Sequence, residues 1–302
     1  MNARSRRRFL IRSARLGAAA LAASWLASRA TANPLGRPIG IQLYTVKEAM
    51  EADAAGTLAQ LAKIGFREVE TAGFGQRTAK QFRKLLDDAG LACPSAHLSF
   101  DLDNLNAAFD DAHALGATYA ASGSLDALAR PNQPWNATRA MPPAEARRTA
   151  EIANRIGAAA KHAGIQYVYH NHAYELSDGG DGKNGYDILL RETDPELVKF
   201  EIDCGWMIFA GHDPVDYFTK HPNRFPLIHV KDFLPPDVKA GAKDMRGAEL
   251  GHGVVDYGPI LTAAGKAGLQ HLFVEQEGPF ARMTPMQAAR VDYGYLHALR
   301  NP

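Results

Sequence analysis

The sequence predicts an α/β protein built as a single closed barrel of eight parallel strands, each followed by a helix. Short apolar runs typical of buried strands alternate eight times with helix-like stretches, and such alternation indicates a parallel sheet. Five junctions between a helix and the next strand carry a glycine, which readily adopts the left-handed conformation that ends a helix. These glycines are Gly65, Gly90, Gly116, Gly164 and Gly268. Eight units within 302 residues favour the closed (β/α)8 barrel, or TIM barrel, over an open sheet.

The elements follow one another in a regular order. The predicted strands span residues 39–44, 68–71, 91–98, 118–121, 166–170, 199–203, 227–230 and 271–275. The first strand is followed by a helix that extends to residue 63, and the later helices span residues 78–89, 102–115, 143–163, 186–192 and 214–220, then a stretch ending at 267, then 285–299. Long loops are expected after the fourth strand, where proline and asparagine are frequent, and after the seventh, over residues 231–255.

The N-terminus has the pattern of an export signal. Ser5-Arg6-Arg7-Arg8-Phe9-Leu10 fits the twin-arginine motif, an apolar stretch covers residues 16–26, and Ala30-Thr31-Ala32 offers a cleavage site. We therefore expect a cleavable signal peptide over residues 1–32 and a catalytic TIM-barrel domain over residues 33–302. The expected location is the bacterial periplasm. An uncleaved membrane tether is the alternative, although the apolar stretch is short and alanine-rich for a span.

Composition narrows the class of protein further. The formal net charge is +1, and this near balance argues against a nucleic-acid partner. No other run of about twenty apolar residues follows the signal, so no membrane span is expected after signal removal. The two cysteines, Cys93 and Cys204, fall on different, non-adjacent predicted strands, and we expect both to stay reduced.

Four consecutive predicted strands end in residues that bind metals. The runs are Tyr167–His172, Val198–Asp203, Leu227–Asp232 and Leu272–Glu277. The carboxyl ends of all strands in a parallel barrel open onto one face. Two imidazoles and two carboxylates would meet there, which is a ligand set for a divalent metal ion. The predicted ligands are His170, Asp203, His229 and Glu275. The alternative is four unrelated strand ends carrying ordinary solvated side chains.

The alternation of side chains along a strand supports the first of these interpretations. Residues two apart share a face of the sheet. His170 and His172 therefore share a face, as do Glu201 and Asp203, His229 and Lys231, and Glu275 and Glu277. The apolar residues between them suit contact with surrounding helices. Polar groups turned into the barrel are costly unless they bind a metal, water or ligand.

Short motifs occur together in the order of the strands. They are Gly40-Ile41-Gln42-Leu43-Tyr44, Glu68-Val69-Glu70, Ser95-Ala96-His97, Tyr169-His170-Asn171-His172, Glu201-Ile202-Asp203, His229-Val230-Lys231-Asp232 and Phe273-Val274-Glu275-Gln276. In combination they resemble the xylose-isomerase-like sugar isomerase and epimerase barrels. The resemblance implies one divalent ion held by the four residues named above. Mn²⁺, Co²⁺ or Zn²⁺ suit two histidines and two carboxylates better than Ca²⁺, and Mg²⁺ is also compatible.

Two departures from the family pattern bear on the reaction. The family usually has glutamate at the position of His170, and many members have histidine at the position of Trp206. The paired glutamates typical of the epimerases are therefore incomplete. A histidine on the fifth strand makes the chain more similar to inosose dehydratases and to enzymes acting on 3-keto sugars and glycosides.

Further residues at the barrel mouth have candidate roles. Glu277 or His97 could serve as base, and Lys231 could stabilise an enediolate oxygen. For His97 and Lys231 the alternatives are a structural histidine and a lysine reaching solvent, and Glu277 could replace Glu275 as a ligand. The predicted substrate-binding residues are Gln42, Tyr44, Glu70, His172, Glu175 and Trp206.

These residues predict an enzyme that acts next to the carbonyl of a sugar or keto-sugar, through an enediolate, as an isomerase or epimerase. One alternative is a lyase or dehydratase acting on a 3-keto glycoside or an inosose-like substrate. The other is a sugar-binding barrel without catalysis, because a fold alone does not fix function. A nucleic-acid repair enzyme would need more metal ligands than the sequence offers. The expected partner is a small sugar, and a homodimer is compatible with the sequence.

Overall fold

The computed structural model describes residues 35–131, 139–179, 182–234, 246–278, 280 and 283–299. The predicted signal peptide and its cleavage site lie outside the described residues. Eight parallel strands form one closed barrel, in the order β1-β8-β7-β6-β5-β4-β3-β2. They are β1 (Gly40–Gln42), β2 (Glu68–Ala72), β3 (Ala92–His97), β4 (Tyr119–Ser122), β5 (Gln166–His170), β6 (Val198–Asp203), β7 (Leu227–Val230) and β8 (His271–Val274). The predicted barrel is confirmed, and the bounds of β5 and β7 match the prediction.

Helices follow the strands around the barrel. They are Lys47–Ala52, Ala54–Ile64, Ala79–Ala89, Leu105–Leu115, Asp126–Ala129, Pro143–His162, Gly185–Glu192, Cys204–Phe209, Pro214–Lys220, Tyr257–Lys266 and Pro285–Ala298, with a 3-10 helix at Leu43–Val46. No helix among the described residues is both long and apolar enough to cross a membrane.

Two local predictions are wrong for the same physical reason, which is side-chain capping. The first strand was expected to reach residue 44, but it ends at Gln42, whose side chain accepts a hydrogen bond from Tyr44 N and begins the 3-10 helix. The single helix expected up to residue 63 is two helices, since Asp53 caps Gly56 N and starts a new one. Side-chain caps of this kind provide the hydrogen bonds that the first turn of a helix lacks.

Residues turned into the barrel form levels along its axis. Ala121, Val168, Leu227 and Phe273 make a small apolar cluster in the lower part of the barrel. The Phe273 ring fits there because β1 carries Gly40, where a Cβ would lie 2.5 Å from the ring. Ile202, Val230 and Val274 belong instead to the large core shared with the helices, as the alternation predicted. The metal-binding residues of the inner face therefore lie above this apolar cluster.

The loop after β7 is more ordered than predicted. Asp232–Phe233 pairs with Gly247–Ala248 in a short antiparallel sheet, although residues 235–245 lie outside the described part. The Asp232 carboxylate accepts hydrogen bonds from the backbone N–H groups of Gly251, Gly253 and Val255. This carboxylate holds the returning half of the loop beside the barrel mouth. Cys93 and Cys204 are both buried and free, as expected.

Candidate metal centre and active site

The four predicted ligands lie together at the carboxyl ends of β5 to β8. One ligand atom from each of His170, Asp203, His229 and Glu275 lies within 4.8 Å of the others, and all four side chains are buried. His229 Nδ1 is 3.0 Å from Glu275 Oε2 and 3.9 Å from Asp203 Oδ2. Two imidazole nitrogens and two carboxylate oxygens suit a borderline divalent ion. The cluster therefore fits a metal ion by both its chemistry and its spacing.

Asp203 has one oxygen committed to the fold and the other directed at the cluster. Its Oδ1 accepts a hydrogen bond from Trp206 N and caps the helix Cys204–Phe209. This helix was missing from the prediction for the segment after the sixth strand. Oδ2 is fully buried and accepts no hydrogen bond of normal geometry within the described residues, although Lys231 Nζ lies 3.1 Å away. A buried acceptor left in this state is the kind of group that a metal ion satisfies.

Lys231 is a buried cation on the same inward face. Its Nζ lies 3.1 Å from Asp203 Oδ2, 2.8 Å from Glu275 Oε2 and 2.6 Å from Glu277 Oε1. Its chain passes the start of the helix after β6 because that helix carries Gly205, where a Cβ would lie 2.8 Å from Lys231 Cβ. Burial alone would lower the pKa of Lys231, but the three carboxylates outweigh it and raise that pKa well above its usual value. Lys231 is therefore charged.

Glu201 lies within the site, although it was not among the predicted catalytic, substrate-binding or metal-binding residues. Its Oε2 lies 2.8 Å from His97 Nε2, 3.1 Å from His170 Nδ1 and 3.2 Å from His229 Nε2. These three histidines and Glu201 form a second set of four metal-binding residues with the same spacing. The alternation had placed Glu201 on the inward face beside Asp203, so the signal was present. The alternation did not indicate how deep in the barrel the Glu201 side chain lies.

Glu70 and Gln42 lie at this same deeper level. Glu70 Oε2 is 2.7 Å from His229 Nε2 and 3.1 Å from His97 Nε2, and it accepts a 2.9 Å hydrogen bond from Gln42 Nε2. The Ser95 hydroxyl donates to its other oxygen. Glu70 and Gln42 are both buried, with 0% and 1% exposure. Their contacts are with protein groups around the histidines, and a direct contact with substrate stays a prediction.

The three histidines differ in the direction in which their surroundings shift the pKa of the ring. Burial would lower the pKa of His97, yet the carboxylates of Glu70 and Glu201 raise it to about 10. The pKa of His229 is likewise raised, against burial, by Glu201 and Glu275. Burial and the neighbouring charge of His229 lower the pKa of His170. At neutral pH His97 is therefore a proton donor, which counts against its predicted role as the base.

Glu175 does not line the rim as predicted. It has no exposed surface, and its two oxygens accept hydrogen bonds from the Tyr169 hydroxyl and from His172 N. Burial raises its pKa to about 8. The loop after β5 thus binds the Glu175 carboxylate to its own backbone, at His172 N. The position of Glu175 is therefore corrected from a substrate contact to a buried group beneath the mouth.

The remaining predicted contacts are spread around the mouth. The His172 ring lies between those of His170 and Trp206, with centroid distances of 4.9 and 5.7 Å. Trp206 is only 2% exposed, and Lys231 Nζ sits 5.1 Å from its ring centroid. Tyr44 is 40% exposed and accepts a hydrogen bond from Lys47 Nζ. Of these three, Tyr44 is the most open to a ligand.

A cavity lies where the chain leaves β1 and β2 at the carboxyl ends of the strands. It has a volume of about 730 Å³ and is lined by residues that follow β1 and β2, including Leu43, Lys47, Phe74 and Arg77. None of the four predicted ligands lines it. The Glu277 side chain at the mouth is 37% exposed. Glu277 is thus the carboxylate of the cluster that solvent and substrate reach most readily.

The fold and this cluster define a TIM barrel with a candidate divalent-metal centre at the carboxyl ends of its strands. The chain belongs to the xylose isomerase-like TIM barrel family, whose model matches residues 58–290. This assignment agrees with the resemblance seen in the sequence.

Individual relatives add detail. An inosose dehydratase from Lacticaseibacillus casei is 27% identical over 270 residues, covering 80% of this chain and 88% of that protein. A solved sugar phosphate isomerase/epimerase from Parabacteroides distasonis is 27% identical, with a TM-score of 0.69 over 86% of this chain and 94% of that one. The zinc-containing structure of the IOLI protein is 11% identical, with a TM-score of 0.65 over 85% and 95% of the two chains, and it supports the fold alone.

Proposed function

We propose that the protein is a metal-dependent dehydratase that removes water from a keto-cyclitol or keto-sugar of the inosose type. The observation that carries this proposal is the similarity to inosose dehydratase along most of both chains. It favours the lyase over the isomerase or epimerase that the sequence first suggested. The expected cofactor is one divalent ion, held by His170, Asp203, His229 and Glu275, that would polarise the substrate carbonyl and acidify the adjacent carbon–hydrogen bond.

The residues at the mouth divide the proton transfers between them. Glu277 takes the proton from the carbon next to the carbonyl, since its carboxylate is accessible at the rim. The electron pair moves onto the carbonyl oxygen and gives an enolate. Lys231 stabilises that negative oxygen, because its ammonium group is buried and fixed by three carboxylates.

Elimination also needs a proton for the leaving hydroxyl group. His97 can provide it, because Glu70 and Glu201 keep the pKa of the ring at about 10. The enolate electrons form the new carbon–carbon double bond, the carbon–oxygen bond at the β-position breaks, and the hydroxyl leaves as water. Glu277 then releases its proton to solvent and His97 takes one back from solvent, so both residues are restored and the net reaction is the loss of one water molecule.

An isomerase or epimerase remains the second candidate. The Parabacteroides distasonis protein is as similar in sequence as the dehydratase. Both reactions begin with the same proton abstraction. They differ only in whether a proton returns to carbon or a β-hydroxyl leaves.

The test follows both outcomes in one experiment. Metal-loaded protein is incubated with inososes and keto-sugars in deuterated water, and NMR records substrate loss, deuterium uptake and the unsaturated product. We expect dehydration, slowed about 100-fold or more in Glu277→Gln, with the metal still bound. Glu48→Gln is the matched control, since Glu48 is an exposed glutamate in the helix Lys47–Ala52 and lies outside the cluster. Deuterium uptake without water loss would favour the isomerase, and binding without either would favour a sugar-binding protein.

A further inference from the structure

The two sets of metal-binding residues share His170 and His229. Neither histidine can bind an ion in both sets through the same ring nitrogen. The upper set adds Asp203 and Glu275, and the lower set adds His97 and Glu201. A neutral histidine binds a metal through one nitrogen and donates a hydrogen bond from the other. The contacts of each ring nitrogen therefore indicate in which of the two sets the ion would lie.

His229 is divided between the two levels. Its Nδ1 lies 3.0 Å from Glu275 Oε2, on the side of Asp203 and Lys231. Its Nε2 lies 2.7 Å from Glu70 Oε2 and 3.2 Å from Glu201 Oε2. Nε2 is thus held by two carboxylates from below, and Nδ1 faces the upper set.

His170 is likewise held from below by a carboxylate. Its Nδ1 lies 3.1 Å from Glu201 Oε2, which leaves Nε2 to face the upper set. The same Glu201 oxygen is 2.8 Å from His97 Nε2. One carboxylate oxygen therefore contacts three imidazoles, two of which are predicted ligands.

The carboxylates of the lower level are closed to substrate, and of the lower set only the His97 side chain is partly exposed, at 16%. Glu70, Glu201 and His229 have no exposed surface, and Glu70 Oε2 already contacts His97 and His229. The upper set, in contrast, adjoins Glu277 at the open rim through Lys231. An ion that acts on a substrate belongs in the upper set.

We infer that Glu201 and Glu70 are positioning residues that orient His170 and His229, so that His170 Nε2 and His229 Nδ1 are presented to the ion. Removing a carboxylate of this kind typically weakens metal affinity about 10–100-fold. The inference rests on the metal site of the proposed function and not on the reaction that occurs there.

The test measures metal binding directly. Co²⁺ is titrated into metal-free wild type, Glu201→Gln and Glu70→Gln, with affinity from calorimetry and ligand geometry from the visible absorption of the bound ion. We expect one Co²⁺ per chain in each, with affinity reduced about 10–100-fold in both variants and the absorption band changed in shape. Circular dichroism of the metal-free proteins shows whether they are folded. If one variant fails to fold, the other carries the same prediction.

The barrel offers a matched control. Glu68 is a glutamate on β2 whose Oε2 lies 2.8 Å from His271 Nδ1, which is outside both sets. Glu68→Gln removes a carboxylate–histidine pair from the same barrel and should leave Co²⁺ affinity and spectrum unchanged.

Three results would overturn the inference. Wild-type affinity and spectrum in both variants would show that the carboxylates do not orient the ligands. Two Co²⁺ ions in wild type, one of them lost in Glu201→Gln, would make the lower set a second metal site. A wild type that binds no Co²⁺ would end both the inference and the metal-dependent function. If binding depends on Glu201 but no sugar is dehydrated, the inference stands and the proposed reaction fails.

Discussion

At the residue scale, the alternation of side chains along a strand was enough to select the four candidate ligands. It could not rank inward residues by depth, because a barrel tilts its strands and staggers their registers. His170 pairs with Glu201 in the register of β5 and β6, whereas Asp203 pairs with His229. Glu201 precedes Asp203 by two residues on β6 and so lies a level below it. Only the assembled barrel shows that His170 is level with Glu201 and His229 with Asp203.

The double role of Asp203 leads to a test at this scale. Asp203→Asn keeps an oxygen to cap Trp206 N, but it replaces the carboxylate charge that faces the cluster with a neutral amide. We expect a folded protein with metal content reduced at least about 10-fold, because the ligand set loses a negative charge. Elemental analysis after dialysis gives the metal content.

A matched control exists in the next helix. Asp213 caps Val215 N in the same manner and is exposed, so Asp213→Asn should leave metal content unchanged. Full metal loading in Asp203→Asn would contradict the predicted ligand set.

At the element scale, the barrel strands were predictable and several helix boundaries were not. Strands β5 and β7 are short apolar runs bounded by polar residues, so hydrophobic pattern alone defines them. The helix Cys204–Phe209 depends instead on a single cap from Asp203, a residue that the sequence marked only as a ligand. The helix expected after the sixth strand, Pro214–Lys220, was found with the predicted bounds. Side-chain caps, of which Gln42 and Asp203 are also predicted site residues and Asp53 is not, are thus the weak point of the sequence prediction.

The last helix and the loop after β7 are joined by a buried acid whose ionisation should be visible in stability. Asp292 is 1% exposed and accepts a 2.7 Å hydrogen bond from Leu250 N. Burial raises its pKa to about 7, above the usual value of 3.8. An acid with a raised folded-state pKa favours folding fully below pH 3.8, and this contribution is lost as the pH rises towards 7.

Asp292→Asn should remove this pH dependence, because the amide keeps an oxygen for Leu250 N and cannot ionise. We expect the variant to be more stable than wild type at pH 8, by up to about 4 kcal/mol at 1.36 kcal/mol per pKa unit, and no more stable at pH 4. Denaturant unfolding at both pH values gives the comparison. Asp256→Asn, at an exposed cap, should show no such dependence on pH. An equal difference at pH 4 and pH 8 would show that Asp292 does not titrate in this window.

At the scale of the whole molecule, the closed barrel brings residues from all parts of the chain to one mouth. Gln42 on β1 donates to Glu70 on β2, and Glu70 contacts His229 on β7, because the barrel closes between β1 and β8. A site assembled from such distant segments forms only when the barrel is complete. The candidate metal centre is therefore a property of the folded domain, and an ion that binds it also stabilises that domain.

Because metal binding is coupled to folding, the predicted export route determines where in the cell the ion is bound. The twin-arginine pathway moves folded proteins, so a barrel that binds its ion before export would reach the periplasm with the ion in place. We propose this route for the chain from Arg6 and Arg7 and the apolar stretch over residues 16–26. Replacing both Arg6 and Arg7 with lysine keeps the positive charge and alters only the paired arginines.

The double variant should stay in the cytoplasm at its full precursor length, while wild type is recovered from the periplasm as a shorter chain. Cell fractionation with immunoblotting separates the two outcomes, and Arg8→Lys is the matched control because it makes the same change next to the pair. The retained variant should also carry its metal ion, since the barrel folds and loads before export in this scheme. Unchanged periplasmic delivery of the double variant would exclude the twin-arginine route. A retained precursor that is metal-free but gains an ion when the purified protein is given one would place metal loading after export.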